Sequence, residues 1–403
     1  MEQIKRLVAE VQTCLTQNIL PFWLEQMRDN EQGGWYGRMT GRGELQKDAP
    51  RGGVLNARLL WTFSAAYRVL RDESLLEAAL WTKDYIERYF VDHQMGGTYW
   101  SVSADGSPLD TKKQTYALGF MLYGFSELAR ATGEKHALEI ALELFDVIEA
   151  HAWEPEYGGY VEAFTSEWHP LADMRLSAKD DNWPKSQNTH LHVIEPYTNL
   201  LRALKERDRR DERALTQRVE AAVRRLIDIF VSRIMNHQTH HLDLFFDLDW
   251  TRKSTMASYG HDIECSWLLH EAALVVGDHE LLAQVEPIVQ AIAAASEGGL
   301  QNDGSMVYET GDDDRHWWVQ AETIVGFVNL YQHFSDDAAL AKALRCWDYV
   351  KTYLIDHERG EWHWSVRADG RVNLDDDHAG PWKCPYHNSR MCLEIMERFA
   401  DVK

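Results

Sequence analysis

The chain is poor in cysteine. Its five, Cys14, Cys265, Cys346, Cys384 and Cys392, are odd in number and lack CxxC spacing. They read as reduced thiols of a cytosolic protein, not as a disulfide framework. An apolar run of the roughly 20 residues needed to span a bilayer is also lacking. The N-terminal stretch "MEQIKRLVAEVQTCLTQNILPFW" is amphipathic and carries acids, so it has no unbroken signal-peptide core. Basic charge is in deficit. The chain has 42 Lys and Arg against 64 Asp and Glu, a net charge of −22. That argues against a nucleic-acid backbone or an anionic membrane as partner and leaves a neutral ligand open. There is no glycine-rich nucleotide loop and no HExxH motif.

What the chain does have is apolar and aromatic mass. Apolar types make up 45% of its 403 residues, with 16 Trp, 16 Tyr and 13 Phe. The length fits two or three domains, but a single barrel can also reach it. A repeat favours the barrel. A glycine–aromatic stretch of alternating residues leads through a polar loop into an apolar helix. The copies are "GGWYGRM" (33), "GGTYWSVSADG" (96), "GGYVEAF" (158), "HHLDLFFDLDW" (240), "GGLQNDGSMVYE" (298) and "GEWHWSVRADG" (360), at intervals of 63, 62, 82, 58 and 62 residues. "ADG" in the second and sixth copies signals a hairpin turn.

The helix after each copy is apolar on nearly every face, as an inner helix would be. An amphipathic helix follows each of the first five, and the N-terminal helix supplies the twelfth. Six inner and six outer helices predict an all-α fold. The reading is a single (α/α)6 barrel, a six-hairpin toroid over residues 1–403, with short β-hairpins in the loops at one end. An open helical solenoid is the alternative. Closure is preferred because the N-terminal helix completes the last pair.

In such a barrel the heads of the inner helices meet at one cavity. Their polar residues, in chain order, are Arg58 and Tyr116, then Asn188, His190 and His192, then His261 and Glu264, with Trp267 one turn on. Trp317, Trp318 and Glu322 follow, then Trp382, His387 and Arg390. Asn188 and His192 are i,i+4 neighbours, and His261 and Glu264 are i,i+3 neighbours. Histidine suits proton transfer near neutral pH, and a carboxylate one turn away can orient it. Arginine can stabilise an oxyanion, and tryptophan faces suit sugar rings. Plainer readings stand beside each residue. A histidine on an apolar helix is ordinarily a satisfied core residue. Arg58 alone reads as a buried ion pair with an outer-helix acid, and most tryptophans as packing. Only one ring of the Trp317–Trp318 doublet can face the axis. Recurrence at one phase of successive repeats tips the reading toward a shared site. His190 and His192, two apart on a helix, diverge and would chelate poorly, so no metal is expected. "ETGDDDRH" (309–316) reads as a loop near the cavity mouth. "SAKDDNWPKSQN" (177–188) reads as a lid or an interface, and "ERDRRDER" (206–213) as a solvated connection.

At "LNARLLWTFSAAYR", "KSQNTHLHVIEPYTNLLRAL", "SYGHDIECSWLLHEAA", "WWVQAETIVGF" and "WKCPYHNSRMCLEI" the chain resembles the N-acylglucosamine 2-epimerase superfamily. The likeness is greatest to the branch acting on β-1,4-linked disaccharides. These stretches run from residue 55 to 395 in the same order. The resemblance implies an (α/α)6 barrel and reversible inversion at C2 of a reducing-end glucose, without cofactor or metal. Cellobiose would become glucosyl-mannose, and lactose epilactose. It makes His261 and His387 the acid/base pair, with Glu264 and Glu322 supporting the histidines or assisting ring opening. In particular Glu264 would support His261, while Asp262 caps the helix or pairs structurally. Arg58 and His192 would bind oxygens around C1 and C2. Trp318 and Trp382 would stack on sugar rings, and Tyr116 and Asn188 would line the site. A mannose isomerase or mannose 2-epimerase of the same superfamily is the near alternative. More distant alternatives are a glycoside hydrolase using Glu264 and Glu322, and a binding protein without turnover. The partner is a small sugar, and monomer and homodimer both stay open.

Overall fold

The computed structural model describes residues 1–207 and 209–402. Helix α1 (Glu2–Cys14) continues through π-turns and the short α2 (Leu20–Phe22) as far as Met27. The helices then come in pairs. These are α3 (Gly53–Leu70) with α4 (Glu73–Tyr89), α5 (Thr115–Thr132) with α6 (Lys135–His151), and α7 (Gln187–Arg207) with α8 (Arg213–Ile229). They continue as α9 (Tyr259–Val276) with α10 (His279–Ser296) and α11 (Trp317–Phe334) with α12 (Asp337–Tyr349), and α13 (Tyr386–Arg398) comes last. The fold is mostly helical, as expected. In the charged connection 206–213, Asp208 lies outside the described residues.

Local chemistry sets the pairing. Arg71, Gly133, Gly277 and Ser335 take left-handed backbone after α3, α5, α9 and α11 and stop those helices. Asp72, Asp278 and Asp336 then accept backbone N–H bonds and start the next helix. α3 buries every residue from Gly53 to Ala66. α8 buries only the stripe Val219, Ala222, Val223, Leu226, Ile227 and Ile229. The difference sorts inner from outer helices. α3 packs on α5, α5 on α7, α7 on α9, α9 on α11, α11 on α13, and α13 back on α3. Their partners α4, α6, α8, α10 and α12 back the first five, and α1 backs α13.

The C-terminal ends of the inner helices are joined by polar bonds in the same cyclic order. Arg68 donates to Glu127 at 2.6 Å, Arg130 to Asn199 at 3.0 Å, and Arg202 to Glu271. His270 meets Asn329 at 3.2 Å, Arg398 donates to Asn329 at 3.1 Å, and Arg68 also donates to Glu397.

The other end carries the loops. Strand pairs two or three residues long link the lead into an inner helix with the hairpin of the next repeat, as Arg51 opposite Val102 and Lys113 opposite Phe164. Every repeat contains one five-residue turn closed by a backbone bond. The turns are 40–44, 103–107, 165–169, 247–251, 301–305 and 367–371. The fourth turn residue always has positive φ, and it is glycine at 43, 106, 304 and 370 but Trp168 and Trp250 in the other two. Buried cations tie these loops to the helices. Arg51 donates to Asp29 at 2.6 Å, Lys113 to Asp92 at 2.6 Å, Lys185 to Glu154 at 3.3 Å and Lys383 to Glu361 at 2.9 Å. No helix among the described residues is long and apolar enough to cross a membrane.

Candidate active site

The inner-helix heads surround a cavity of about 290 Å³. Nine of the ten residues to which the resemblance gives a catalytic or binding role line it: Arg58, Tyr116, Asn188, His192, His261, Glu264, Trp318, Trp382 and His387. The tenth, Glu322, stands directly behind His387. Residues 176–180 and Tyr308, His316, Trp317, Trp364 and Asp376 complete the wall, so both members of the Trp317–Trp318 doublet border it. The segment read as a lid or interface thus reaches the cavity through Ser177 to Asp180, and the acidic loop through His316.

Trp318 neighbours both candidate acid/base imidazoles. Its ring centroid is 4.9 Å from that of His261 and 5.6 Å from that of His387. His387 Nδ1 lies 2.7 Å from Glu322 Oε1. Glu322 also accepts from Trp267 Nε1 at 3.0 Å and from Arg390 at 2.6 Å. Burial and the neighbouring Glu264 raise the Glu322 carboxyl well above its usual range. The Trp267 and Arg390 donors favour its ionised form, and to that form His387 Nδ1–H donates, which leaves Nε2 a lone pair. Burial, then the positive charge of Arg58, pushes His387 well below the usual imidazole range. Burial alone lowers His261 to about 3. Both rings are therefore neutral bases at neutral pH.

One sequence expectation is corrected here. Glu264 does not support His261, whose Nδ1 instead meets Ser258 Oγ at 2.7 Å. The helix turns Glu264 toward α13, where its Oε1 accepts from Arg390 at 2.8 Å and lies 3.8 Å from His387 Nδ1. Its other oxygen is buried without a partner, and burial raises the carboxyl to about 8. Arg58 is the second correction to a plain reading, for no acid pairs with it among the described residues. It donates to Tyr116 Oη at 2.8 Å, and its guanidinium lies 4.2 Å from the Phe120 ring centroid. A guanidinium without a counter-ion, buried at a cavity wall, is poised for an anionic oxygen.

Asp262 pairs structurally, accepting from the Leu242 N–H at 2.8 Å and facing His241 Nδ1 at 2.6 Å. His190 is a core histidine, held by Ser186 O and the Tyr160 N–H. Sequence reasoning missed Arg390 as the hub of the site. It bonds Glu195, Glu264, Glu322 and the Tyr386 hydroxyl together. Glu195 was legible as an i,i+3 neighbour of His192, whose Nδ1 it meets at 3.0 Å. Glu264, Glu322 and His387 cluster as metal ligands would, but the Arg390 guanidinium already supplies the positive charge between the carboxylates.

This arrangement offers two neutral bases, a protonatable carboxyl and an oxyanion partner around a stacking ring, which suits proton transfer at carbon next to a carbonyl. The family model of N-acylglucosamine 2-epimerase (GlcNAc 2-epimerase) matches residues 33–390, and the chain belongs to this family of carbohydrate epimerases. A cellobiose 2-epimerase of Bacteroides fragilis is 53% identical over 96% of this chain and 98% of its own length. The solved structure of a cellobiose 2-epimerase from Bacillus thermoamylovorans B4167 superposes with a TM-score of 0.91 at 40% identity, covering 98% of this chain and 100% of that one. A D-mannose isomerase of Marinomonas mediterranea is more distant, 22% identical over 91% of both chains.

Proposed function

We propose that the protein is a cellobiose 2-epimerase. Its frame is read as one (α/α)6 barrel forming a single domain over residues 1–403, and its partner is a small sugar. The observation that carries the reading is the placement of His261 and His387 beside one ring, that of Trp318, with the Nδ1 of His387 against Glu322. Similarity to cellobiose 2-epimerases over nearly the whole chain supports the substrate.

The ring of the reducing-end glucose opens when O1 gives its proton to one neutral imidazole and O5 takes one from the Glu264 carboxyl. The C2 hydrogen beside the new aldehyde is then acidic. The other imidazole removes it, and the C2–H electron pair forms the C1–C2 double bond of a cis-enediolate. Arg58 and His192 hold its oxygens. The imidazolium formed on ring opening returns its proton to the opposite face of C2. Return to C1 would give a ketose, the isomerase outcome. Trp318 and Trp382 stack on the sugar rings, and Tyr116 and Asn188 border them.

Incubation with cellobiose in D2O, followed by NMR, tests the reading. Glucosyl-mannose carrying deuterium at C2 is expected. Free glucose instead would make the protein a hydrolase, and unchanged cellobiose with fructose formed from mannose would make it a mannose isomerase.

A further inference from the structure

α7 breaks one local rule where it meets the cavity. Pro196 lies inside the helix and has no N–H to give to the His192 carbonyl one turn earlier. His192 accordingly leaves helical geometry, with φ −90° and ψ 15°. The freed carbonyl points at α5. A Cβ on Gly119 would overlap the His192 oxygen and would lie 3.6 Å from Pro196 Cγ. The next residue, Phe120, packs its ring 4.9 Å from the His192 imidazole, as does Tyr116. The residue before the proline, Glu195, meets His192 Nδ1 at 3.0 Å and gives its other oxygen to Tyr386 and Arg390.

We infer that Pro196, Gly119 and Glu195 form a positioning device for His192, built from a kink, the gap that admits it and the carboxylate that orients the ring. The kink carries the imidazole out of the regular helix onto the cavity wall. Gly119 lets α7 approach α5 at that point. Glu195 accepts a hydrogen bond from Nδ1–H, so that Nε2 presents a lone pair. The inference rests on the reading that His192 meets sugar oxygens, and it adds what puts it there.

The test uses the full-length enzyme with cellobiose, and Pro196→Ala, Gly119→Ala, their combination and Glu195→Gln. Pro196→Ala restores the missing N–H. With far-UV spectrum and cooperative melting retained, kcat/KM is expected to fall about 10- to 100-fold, the scale of a displacement near 1 Å. In 15N NMR the wild-type His192 should show a proton on Nδ1, and Pro196→Ala a mixture of tautomers. Gly119→Ala should lower the melting temperature in the wild type but cost far less when Pro196 is also replaced, because the straightened helix withdraws the carbonyl. Glu195→Gln leaves two carboxylates on Arg390 and so preserves the fold. It should lose about tenfold in kcat with the Nδ1 preference weakened. Wild-type kcat and KM in Pro196→Ala, or an equal cost of Gly119→Ala in both backgrounds, would overturn the inference. Should Pro196→Ala fail to fold, unchanged kcat and tautomer in Glu195→Gln would overturn it. Failure of the substrate reading looks different: the wild type itself leaves cellobiose unaltered while the tautomer and the Gly119–Pro196 coupling persist.

Discussion

His387 is held by a carboxylate and His261 by a hydroxyl, so their neighbours should respond differently to substitution. Glu322→Gln keeps the shape but offers an amide that no longer fixes the imidazole tautomer. It should lower kcat by about 10²–10⁴-fold, the range of general acid–base contributions. His261→Ala and His387→Ala should each abolish deuterium incorporation at C2 while melting near the wild-type temperature; exchange in either would remove that residue from the proton path. Glu264 governs the alkaline side. Burial raises its carboxyl to about 8, from 4.5 for an ordinary glutamate, and the neighbouring Glu322 is raised with it. The rate should therefore fall on the alkaline side, from about pH 8, in a limb of kcat that belongs to the Glu264–Glu322 pair. The same shift makes folding less favourable as pH rises between those values, since the native state keeps a proton that the unfolded chain releases. Glu264→Gln, neutral throughout, should gain in melting temperature on the wild type as pH rises from about 5 to about 8. At this scale the sequence was readable where a polar residue recurred at one phase of the repeats, which found Arg58, His192, His261 and His387. It did not show that Glu264 turns toward Arg390, because that bond joins residues 126 positions apart. Arg58 read as an ion pair for the same reason: an acid that never arrives leaves no trace in the chain.

An inner helix is placed by the loop before it, and the buried Lys383–Glu361 pair shows how. Both side chains are wholly inaccessible. Glu361 also accepts from Trp23 Nε1 at 2.6 Å and Asn388 Nδ2 at 2.6 Å, so the N-terminal helix, the sixth hairpin and the head of α13 share one carboxylate. Lys383→Met leaves that charge without its cation, which should cost about 3–5 kcal/mol of stability, measured by urea denaturation. Since His387 lies four residues on, at the head of α13, kcat should fall as well. Replacing Glu361 together with Lys383 by apolar residues should recover part of the stability, although Trp23 and Asn388 then lose their acceptor. The helices themselves were legible because apolar periodicity and Asp starts are local signals. The recurring turn was only partly so. "ADG" marked two of the six copies, while Trp168 and Trp250 hide the same positive-φ corner under residues that seldom adopt it. Trp168 is kept in place by its stacking on His151 at 4.2 Å and its bond to the Met95 carbonyl at 2.8 Å. Those are contacts between repeats, and no local pattern announces them.

Closure of the ring makes the two chain ends interdependent. α13 has α11 on one side, α3 on the other and α1 behind it. The N-terminal segment is buried along one face through Ile4, Leu7, Val11, Leu15, Ile19, Phe22 and Trp23, and Trp362 donates to Cys14 Sγ at 3.4 Å. In an open stack of helix pairs, removing a terminal helix costs one interface and leaves the remaining repeats folded. In a closed ring the same deletion uncovers α13, which carries His387 and Arg390 and joins the last repeat to the first. Deletion of residues 1–27 should therefore abolish cooperative unfolding of the whole chain, not shorten a stack. Full-length protein should show one urea transition by both tryptophan fluorescence and far-UV ellipticity, and the truncated chain should expose apolar surface without a native baseline. A truncated chain that still unfolds in one sharp transition, with only modest loss, would mean that α3 and α13 hold together without the helix behind them. The polar circuit at the far end of the inner helices would then carry the closure, and Arg68→Met, which severs α3 from both α5 and α13 there, would become the decisive variant.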